Sequence, residues 1–244
     1  MLSIIIPTFQ EENNISNTLI HILDKLNESK IDYEIIVIDD NSNDKIEKKV
    51  LAFSQKNPNI HFYLNDLQKG FGNSIVKGVH MSKGKYFAIM MADLSDSVDD
   101  LVKYYEIITN DNDLDCVFGD RWSQDLVSDY PFIKKRINRA GNFFLKKITN
   151  SEYSDFTNSF KLYSREVFNE ISPIISNHFS ITVELPLKII TRGYKYKIIP
   201  NTWQNRKHGV SKMNIRNIIL TYSLITIYCL IDKYFWNKRA VINK

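Results

Sequence analysis

Glycine, proline and cysteine are all scarce in this chain of 244 residues. It has 8 glycines, 6 prolines and 2 cysteines, which excludes collagen-like, low-complexity and disulfide-rich classes of protein. Cys116 and Cys229 lie far apart, in a strand-like and a helix-like segment, so the sequence predicts neither a disulfide nor a paired-thiol metal site. No basic and apolar leader precedes the first strand, and we expect a cytoplasmic protein.

Apolar and aromatic residues are abundant. Hydrophobic residues make up 43% of the chain, which includes 13 Tyr and 14 Phe, enough for one large α/β domain with its own core. The net charge of +4 is mild and favours anionic partners. The basic residues follow no nucleic-acid-binding motif, so we expect no nucleic-acid partner.

Three apolar runs in the first hundred residues are each followed by acidic residues. The runs cover residues 4–7, 35–38 and 87–91, and segments with helical periodicity separate them. Alternating strand and helix patterns predict a parallel sheet, in which the carboxyl ends of the strands share one edge. The acids expected at that edge are Glu11, Glu12, Asp39, Asp40, Asp93 and Asp96.

Acids after strands have two interpretations. A single acidic residue after a strand is explained as a cap of the following helix. Three clusters after three parallel strands favour a site for Mg²⁺ or Mn²⁺, which prefer carboxylate and diphosphate oxygens. Such a cation would neutralise a nucleotide-sugar diphosphate as its glycosidic bond breaks.

The second half of the chain has a different character. A helical pattern over residues 131–148 is rich in Lys and Arg, a basic loop covers residues 205–212, and a last helix is predicted at about residues 214–236. We expect one domain over residues 1–212 and a C-terminal helix within 213–244. Its apolar stretch is too short for a membrane span, and it suits either a membrane interface or a core or dimer contact.

Seven segments, in order across residues 2–212, resemble family 2 glycosyltransferases. The resemblance is greatest to the dolichyl-phosphate (polyprenyl-phosphate) mannosyltransferase group. It implies a GT-A fold and inverting transfer of a sugar from a GDP- or UDP-sugar to a polyprenyl phosphate, with Mg²⁺ or Mn²⁺ as cofactor. It also implies peripheral binding to the inner face of the cell membrane. The segments are residues 7–13, 38–42, 69–72, 92–95, 118–121, 155–163 and 206–212.

The resemblance assigns roles to individual residues. It implies a catalytic group of Asp93, Arg121 and Arg206, and a metal site at Asp93 and Ser95. The implied nucleotide-sugar contacts are Pro7, Phe9, Glu11, Asp39, Asp40, Gly70, Gly72, Ala92 and Asp93. The implied contacts to the acceptor phosphate are Arg121, Lys134, Arg136, Arg139, Ser159, Arg206 and Lys212.

One position departs from the family pattern. Met91 stands where the first acid of the usual Asp-x-Asp motif is expected, and Asp93 matches the second. A thioether does not replace a carboxylate for Mg²⁺. Either Asp93, the diphosphate and water hold the cation, with Ser95 or Asp96 assisting, or the dependence on metal is weakened.

The acceptor decides whether a catalytic base is needed. A lipid phosphate is already anionic and can attack the anomeric carbon directly, so positioning and charge neutralisation are enough. A hydroxyl acceptor would need a base, for which Asp155 and Glu184 are the candidates. Transfer to a glycan or other hydroxyl acceptor, and a non-catalytic nucleotide-sugar-binding protein, therefore stay open as alternatives.

Overall fold

A computed structural model describes residues 1–123, 130, 132–204 and 215–242, without the side chains of 215–218 and 237–242. The strands are β1 (Leu2–Thr8), β2 (Tyr33–Asp39), β3 (Ile60–Leu64), β4 (Tyr86–Ile89), β5 (Cys116–Asp120), β6 (Lys161–Ser164) and β7 (Tyr196–Pro200). The helices are α1 (Ile15–Glu28), α2 (Ile46–Ser54), α3 (Phe71–Met81), α4 (Val98–Asn110), α5 (Phe132–Thr149), α6 (Arg165–Ile171), α7 (Ile181–Arg192) and α8 (Ile215–Ile242).

The strands form one sheet in the order β3-β2-β1-β4-β6-β5-β7. Strand β6 runs antiparallel to both of its neighbours, and the other described strands are parallel to one another. The predicted parallel sheet is therefore confirmed, with one reversed strand. The carboxyl ends of the six parallel strands and the amino end of β6 share one edge, which we call the C-terminal edge.

Helices cover both faces of the sheet because its central strands are apolar on both sides. Every residue of β1 and of β2 is buried, as expected for strands with helices on both faces. One core cluster joins the sheet to α1, α2 and α4. A second core cluster joins the other face to α3, α6 and α7, and receives Leu145 from α5 and Ile225 and Cys229 from α8.

The second half of the chain agrees with most of the sequence prediction. Helix α5 covers the basic helical pattern, and α8 covers the predicted last helix and continues to Ile242. The prediction missed α6, a helix of seven residues that directly follows β6. Helix α8 packs against α7. Among the described residues, no helix contains an apolar stretch long enough to cross a membrane.

Candidate functional site at the C-terminal edge of the sheet

The acid-bearing segments after β2, β1 and β4 lie side by side, because these strands are neighbours in the sheet. Hydrogen bonds join them directly. The amide of Gln10 donates to Ser42 Oγ at 2.8 Å, and Thr18 Oγ1 donates to the carbonyl of Ala92 at 2.5 Å. The expectation that acids after three separate strands meet at one edge is therefore confirmed.

Phe9 and Glu11 lie at the outer part of this edge, just after β1, in which Pro7 is buried. The ring of Phe9 is 41% exposed, and Lys69 Nζ lies 5.2 Å from its centroid. The half-buried Glu11 accepts a 2.7 Å bond from Asn14 Nδ2. The contact of Phe9 and Glu11 with a base and a ribose stays a prediction.

Asp39 and Asp40 organise the loops of this edge. Asp39 is buried and accepts bonds from the amide and hydroxyl of Ser42, at 2.8 and 2.5 Å, and from Thr8 Oγ1 at 3.2 Å. Asp40 accepts from the amide of Gly70 at 3.0 Å and from Asn65 Nδ2 at 2.7 Å. Both carboxylates therefore brace loops of the chain itself, whereas their contact with a nucleotide stays a prediction.

Gly70 and Gly72, at the start of α3, leave room for the chain itself. A Cβ at Gly72 would lie 2.0 Å from the carbonyl oxygen of Ser176, and one at Gly70 would lie 2.1 Å from that of Asn177. Gly70 also has a φ of +151°, which favours glycine. The segment after α6 therefore fills the space beside both glycines, and their contact with a nucleotide stays a prediction.

The segment after β4 holds Asp93 and Ser95 close together. The amide of Ser95 donates to Asp93 Oδ1 at 3.1 Å, and Leu94 between them has a φ of +53°. The carbonyl of Ser95 accepts from the amide of Gln204 at 3.0 Å, which ties this turn to the segment after β7. Asp93 and Met91 are both half-buried.

Asp96 is a buried carboxylate in the same turn. It is 3% exposed, and its Oδ1 atom makes no hydrogen bond in the structure described. Burial raises the pKa of Asp96 to about 7, opposed by the positive charge of Arg121 and assisted by the negative charge of Asp93. Asp96 is not the cap of α4, because Ser97 occupies the N-cap position.

The residues present fit a divalent cation only if the substrate supplies further ligands. Among the described residues, no three His, Cys, Asp or Glu side chains are grouped to hold a metal ion by themselves. Asp93 and Ser95 offer one carboxylate and one hydroxyl, and Asp96 adds a buried carboxylate oxygen without a partner. Mg²⁺ commonly binds to one or two carboxylates together with substrate phosphates and water, and this site has that composition.

Arg121 follows β5 and forms a buried ion pair with Asp155. Its Nε and Nη2 atoms donate to the two carboxylate oxygens of Asp155, each at 2.8 Å, and the two side chains are 8% and 0% exposed. Burial alone would lower the pKa of Arg121, but the charge and hydrogen bonds of Asp155, together with neighbouring acidic groups, outweigh it and raise this pKa. The pair fixes the orientation of the Arg121 guanidinium at the edge of the sheet.

The segment before β6 is held by Lys161, which the sequence reasoning missed. Its ammonium group donates to the carbonyl oxygens of Phe156, Asn158 and Thr182, and burial lowers its pKa to about 7. Ser159, a predicted acceptor contact, lies half-buried in this segment at the same edge.

Of the alternative bases, Asp155 is paired with Arg121, and Glu184 is fully buried against Lys188 at 3.0 Å. Both carboxylates are thus held in ion pairs within the chain.

Helix α5 joins the site through asparagines that sequence reasoning also missed. Asn138 Nδ2 and Asn142 Nδ2 donate to Thr157 Oγ1 at 2.7 and 3.2 Å. The predicted phosphate contacts of this helix, Lys134, Arg136 and Arg139, are exposed. The remaining predicted contacts, Arg206 and Lys212, lie outside the described residues.

An aromatic cluster stands beside the Arg121–Asp155 pair. Trp122 Nε1 donates to Asp155 Oδ1 at 3.2 Å. The ring of Tyr130 lies 5.3 Å from that of Trp122 and 5.1 Å from that of Trp203. No periodic pattern in the sequence predicts this cluster, because Trp203 is far along the chain from Trp122 and Tyr130.

Solved structures of low sequence identity share this fold. A Mycobacterium tuberculosis glucosyl-3-phosphoglycerate synthase in complex with UDP superposes with a TM-score of 0.71 at 14% identity, covering 96% of this chain and 79% of that one. The same enzyme with Mn²⁺, UDP-glucose and glycerol 3-phosphate gives a TM-score of 0.70. The likeness confirms the predicted GT-A fold.

Sequence comparison gives the family. A dolichol-phosphate mannosyltransferase of Pyrococcus furiosus is 29% identical over 226 residues, 89% of this chain and 60% of that protein. A dolichyl-phosphate beta-glucosyltransferase of Dictyostelium discoideum is 30% identical over 71% of this chain and 57% of its own length. The chain thus spans less than two thirds of these relatives. Residues 3–172 match the profile described as Glycosyl transferase family 2, and the chain is therefore a glycosyltransferase of that family.

Proposed function

We propose that this chain transfers a sugar from a nucleotide-sugar to a polyprenyl phosphate. The observation that carries the proposal is the meeting of the segments after β1, β2 and β4 at one edge, beside a buried Arg121–Asp155 pair. The relatives named for transfer to dolichyl phosphate support the acceptor class. Which sugar and which nucleotide are used is a question for a donor screen.

The donor would lie across the C-terminal edge. Phe9 and Glu11 would contact the base and ribose, with Asp39 and Asp40 holding the loops around them. Asp93 and Ser95 would hold Mg²⁺ or Mn²⁺ on the diphosphate, with Met91 contributing no ligand oxygen. The cation, when bound, neutralises the charge that grows on the leaving diphosphate.

The acceptor phosphate would be held by cations rather than activated by a base. One of its oxygens attacks the anomeric carbon as the bond from that carbon to the donor diphosphate breaks, and the nucleoside diphosphate leaves with the electron pair. Arg121 is suited to hold the acceptor because guanidinium groups pair well with phosphate and Asp155 fixes its orientation. Lys134, Arg136 and Arg139 would add positive charge from α5.

We also propose that the reaction takes place at the cytoplasmic face of a membrane. Helix α8 exposes large apolar side chains to solvent, among them Leu220, Leu224 and Ile231, as an interfacial helix does. Both cysteines are free and buried, which fits a reducing compartment.

The test is a screen of GDP- and UDP-sugars with Mn²⁺ and a short polyprenyl phosphate, followed by analysis of the lipid product. We expect one donor to yield glycosylated lipid phosphate, and Asp93→Asn to reduce its rate at least about 100-fold, since a transition-state charge loses its counter-ion. The matched control is Asp99→Asn, an exposed acid on α4. Product formed only with hydroxyl acceptors, or donor binding without any turnover, would contradict the proposal.

A further inference from the structure

A basic cavity lies beside the second half of α5. Its volume is about 390 Å³, and its walls include Arg139, Phe143, Lys146 and Lys147 of the helix, with Ser151 and Ser154 of the segment that follows. Lys146, Lys147 and Ser151 have no role in the proposed transfer reaction. The cavity therefore needs its own explanation.

The cavity carries positive charge that the chain does not neutralise. Helix α5 contains six Lys or Arg residues and no Asp or Glu. Within the described part of the chain, Arg139, Lys146 and Lys147 form no ion pair. Ser151 places a hydroxyl group at the same wall, whereas the Ser154 hydroxyl donates to Asp120 Oδ2 at 2.8 Å. Three cations with a hydroxyl group form a site suited to a phosphate group.

The same stretch of α5 exposes large apolar side chains. Phe143, Phe144 and Ile148 are 61%, 59% and 37% exposed, and Lys147 Nζ lies 5.7 Å from the centroid of the Phe143 ring. Exposed rings that alternate with cations on an acid-free helix are typical of a helix lying in the interface of an anionic membrane. The positive charge and the exposed rings therefore both indicate an anionic lipid as the ligand of this cavity.

We propose that this cavity binds the phosphate of an anionic phospholipid head group. Lys146 and Lys147 would contact the phosphate, while Phe143 and Phe144 enter the boundary of the acyl chains. The inference rests on the membrane location proposed above and is independent of the donor and of the acceptor reaction. It assigns α5 two functions, with Asn138 and Asn142 facing the reaction site and the later cations facing the lipid.

The test is sedimentation of the full chain with vesicles of phosphatidylcholine alone or mixed with phosphatidylglycerol. We expect binding to the mixed vesicles and a loss of at least about tenfold in Lys146→Glu/Lys147→Glu, because each basic residue near an anionic surface contributes to the attraction. The matched control is Lys48→Glu/Lys56→Glu, the same charge change at exposed lysines in and after α2, which should reduce binding far less. Equal losses in the two variants would overturn the proposal.

Two further measurements are needed. The first distinguishes a lipid head group from free phosphate as the ligand, and the second distinguishes lipid binding from the transfer reaction. Inorganic phosphate at matched ionic strength should leave the binding to mixed vesicles unchanged; displacement by it would identify a site for free phosphate and overturn the lipid assignment. Transfer to a short, water-soluble acceptor phosphate should be retained in Lys146→Glu/Lys147→Glu. Vesicle binding that is unaffected by this substitution would overturn the inference and leave the proposed transfer reaction intact.

Discussion

The buried ion pair of Arg121 and Asp155 stabilises the fold only while both partners are present. Their side chains are buried at the end of β5 and joined by two 2.8 Å hydrogen bonds. Removal of one partner would leave the other charge buried without compensation, which is far more costly than the loss of an exposed pair.

We therefore expect Asp155→Ala to lower the free energy of unfolding by about 3–5 kcal/mol. The control is Asp113→Ala, which breaks an exposed pair with Lys195, with side chains 64% and 80% exposed, and should cost less than about 1 kcal/mol. Urea denaturation of both variants measures the difference. Similar losses in the two variants would show that the Arg121–Asp155 pair is not the buried contact described.

Asp96 makes the stability of the fold depend on pH. Its pKa is raised from 3.8 to about 7 by burial, with the charge of Arg121 opposing the shift. Between about pH 4 and pH 7, Asp96 is protonated in the folded chain and ionised in the unfolded chain. Asp96 is therefore least unfavourable to folding at low pH. This advantage is lost as the pH rises from about 4 through 7.

Asp96→Asn removes this titration while keeping the shape of the side chain. We expect the variant to gain stability relative to the natural chain as the pH rises from 4 to 8, with each unit of pKa shift worth about 1.4 kcal/mol. Denaturation of both proteins across this range provides the measurement. A stability difference that does not change with pH would contradict the raised pKa.

The segment after α6 packs so closely against the start of α3 that there is no room for a side chain at Gly72. The amide of Gly72 donates to the carbonyl of Asn177 at 2.9 Å, and a Cβ there would meet the backbone of Ser176. Asp40 holds the same turn through the amide of Gly70. The start of α3 is thus fixed between two loops of the C-terminal edge.

Gly72→Ala should therefore destabilise the fold by about 1–3 kcal/mol, because backbone must move to admit the methyl group. Gly141→Ala in α5 is the control: nothing lies within 4 Å of its Cβ position, and alanine should gain up to about 1 kcal/mol in a helix. Thermal unfolding compares them. A neutral Gly72→Ala would mean that the loop after α6 does not pack against α3 as described.

The sheet was predictable from the sequence to a large extent, since its strands are short apolar runs followed by acids. Strand β1 covers the apolar run at residues 4–7, and β2 ends at Asp39, one residue beyond the run at 35–38. The reversal of β6 was not predictable from periodicity, which does not encode direction. Helix α6 was missed because seven residues give too few turns for a helical pattern.

The site was predictable where its residues adjoin strand ends. Asp93 and Arg121 follow β4 and β5, and their place at the shared edge follows from a parallel sheet. Lys161, Asn138 and the rings of Trp122 and Tyr130 gain their importance only from partners distant in the sequence. The packing of Gly70 and Gly72 against the segment after α6 was not predictable, because the two segments are distant in the sequence.

Calorimetric titration with the nucleoside diphosphate of the active donor, with Mn²⁺ or with a chelator, tests most directly whether these acids surround a cation-bridged diphosphate. We expect binding with Mn²⁺, a loss of at least about tenfold without it, and a similar loss in Asp93→Asn but not in Asp99→Asn. Equal affinity with and without Mn²⁺, or an unaffected Asp93→Asn variant, would contradict this account of the site.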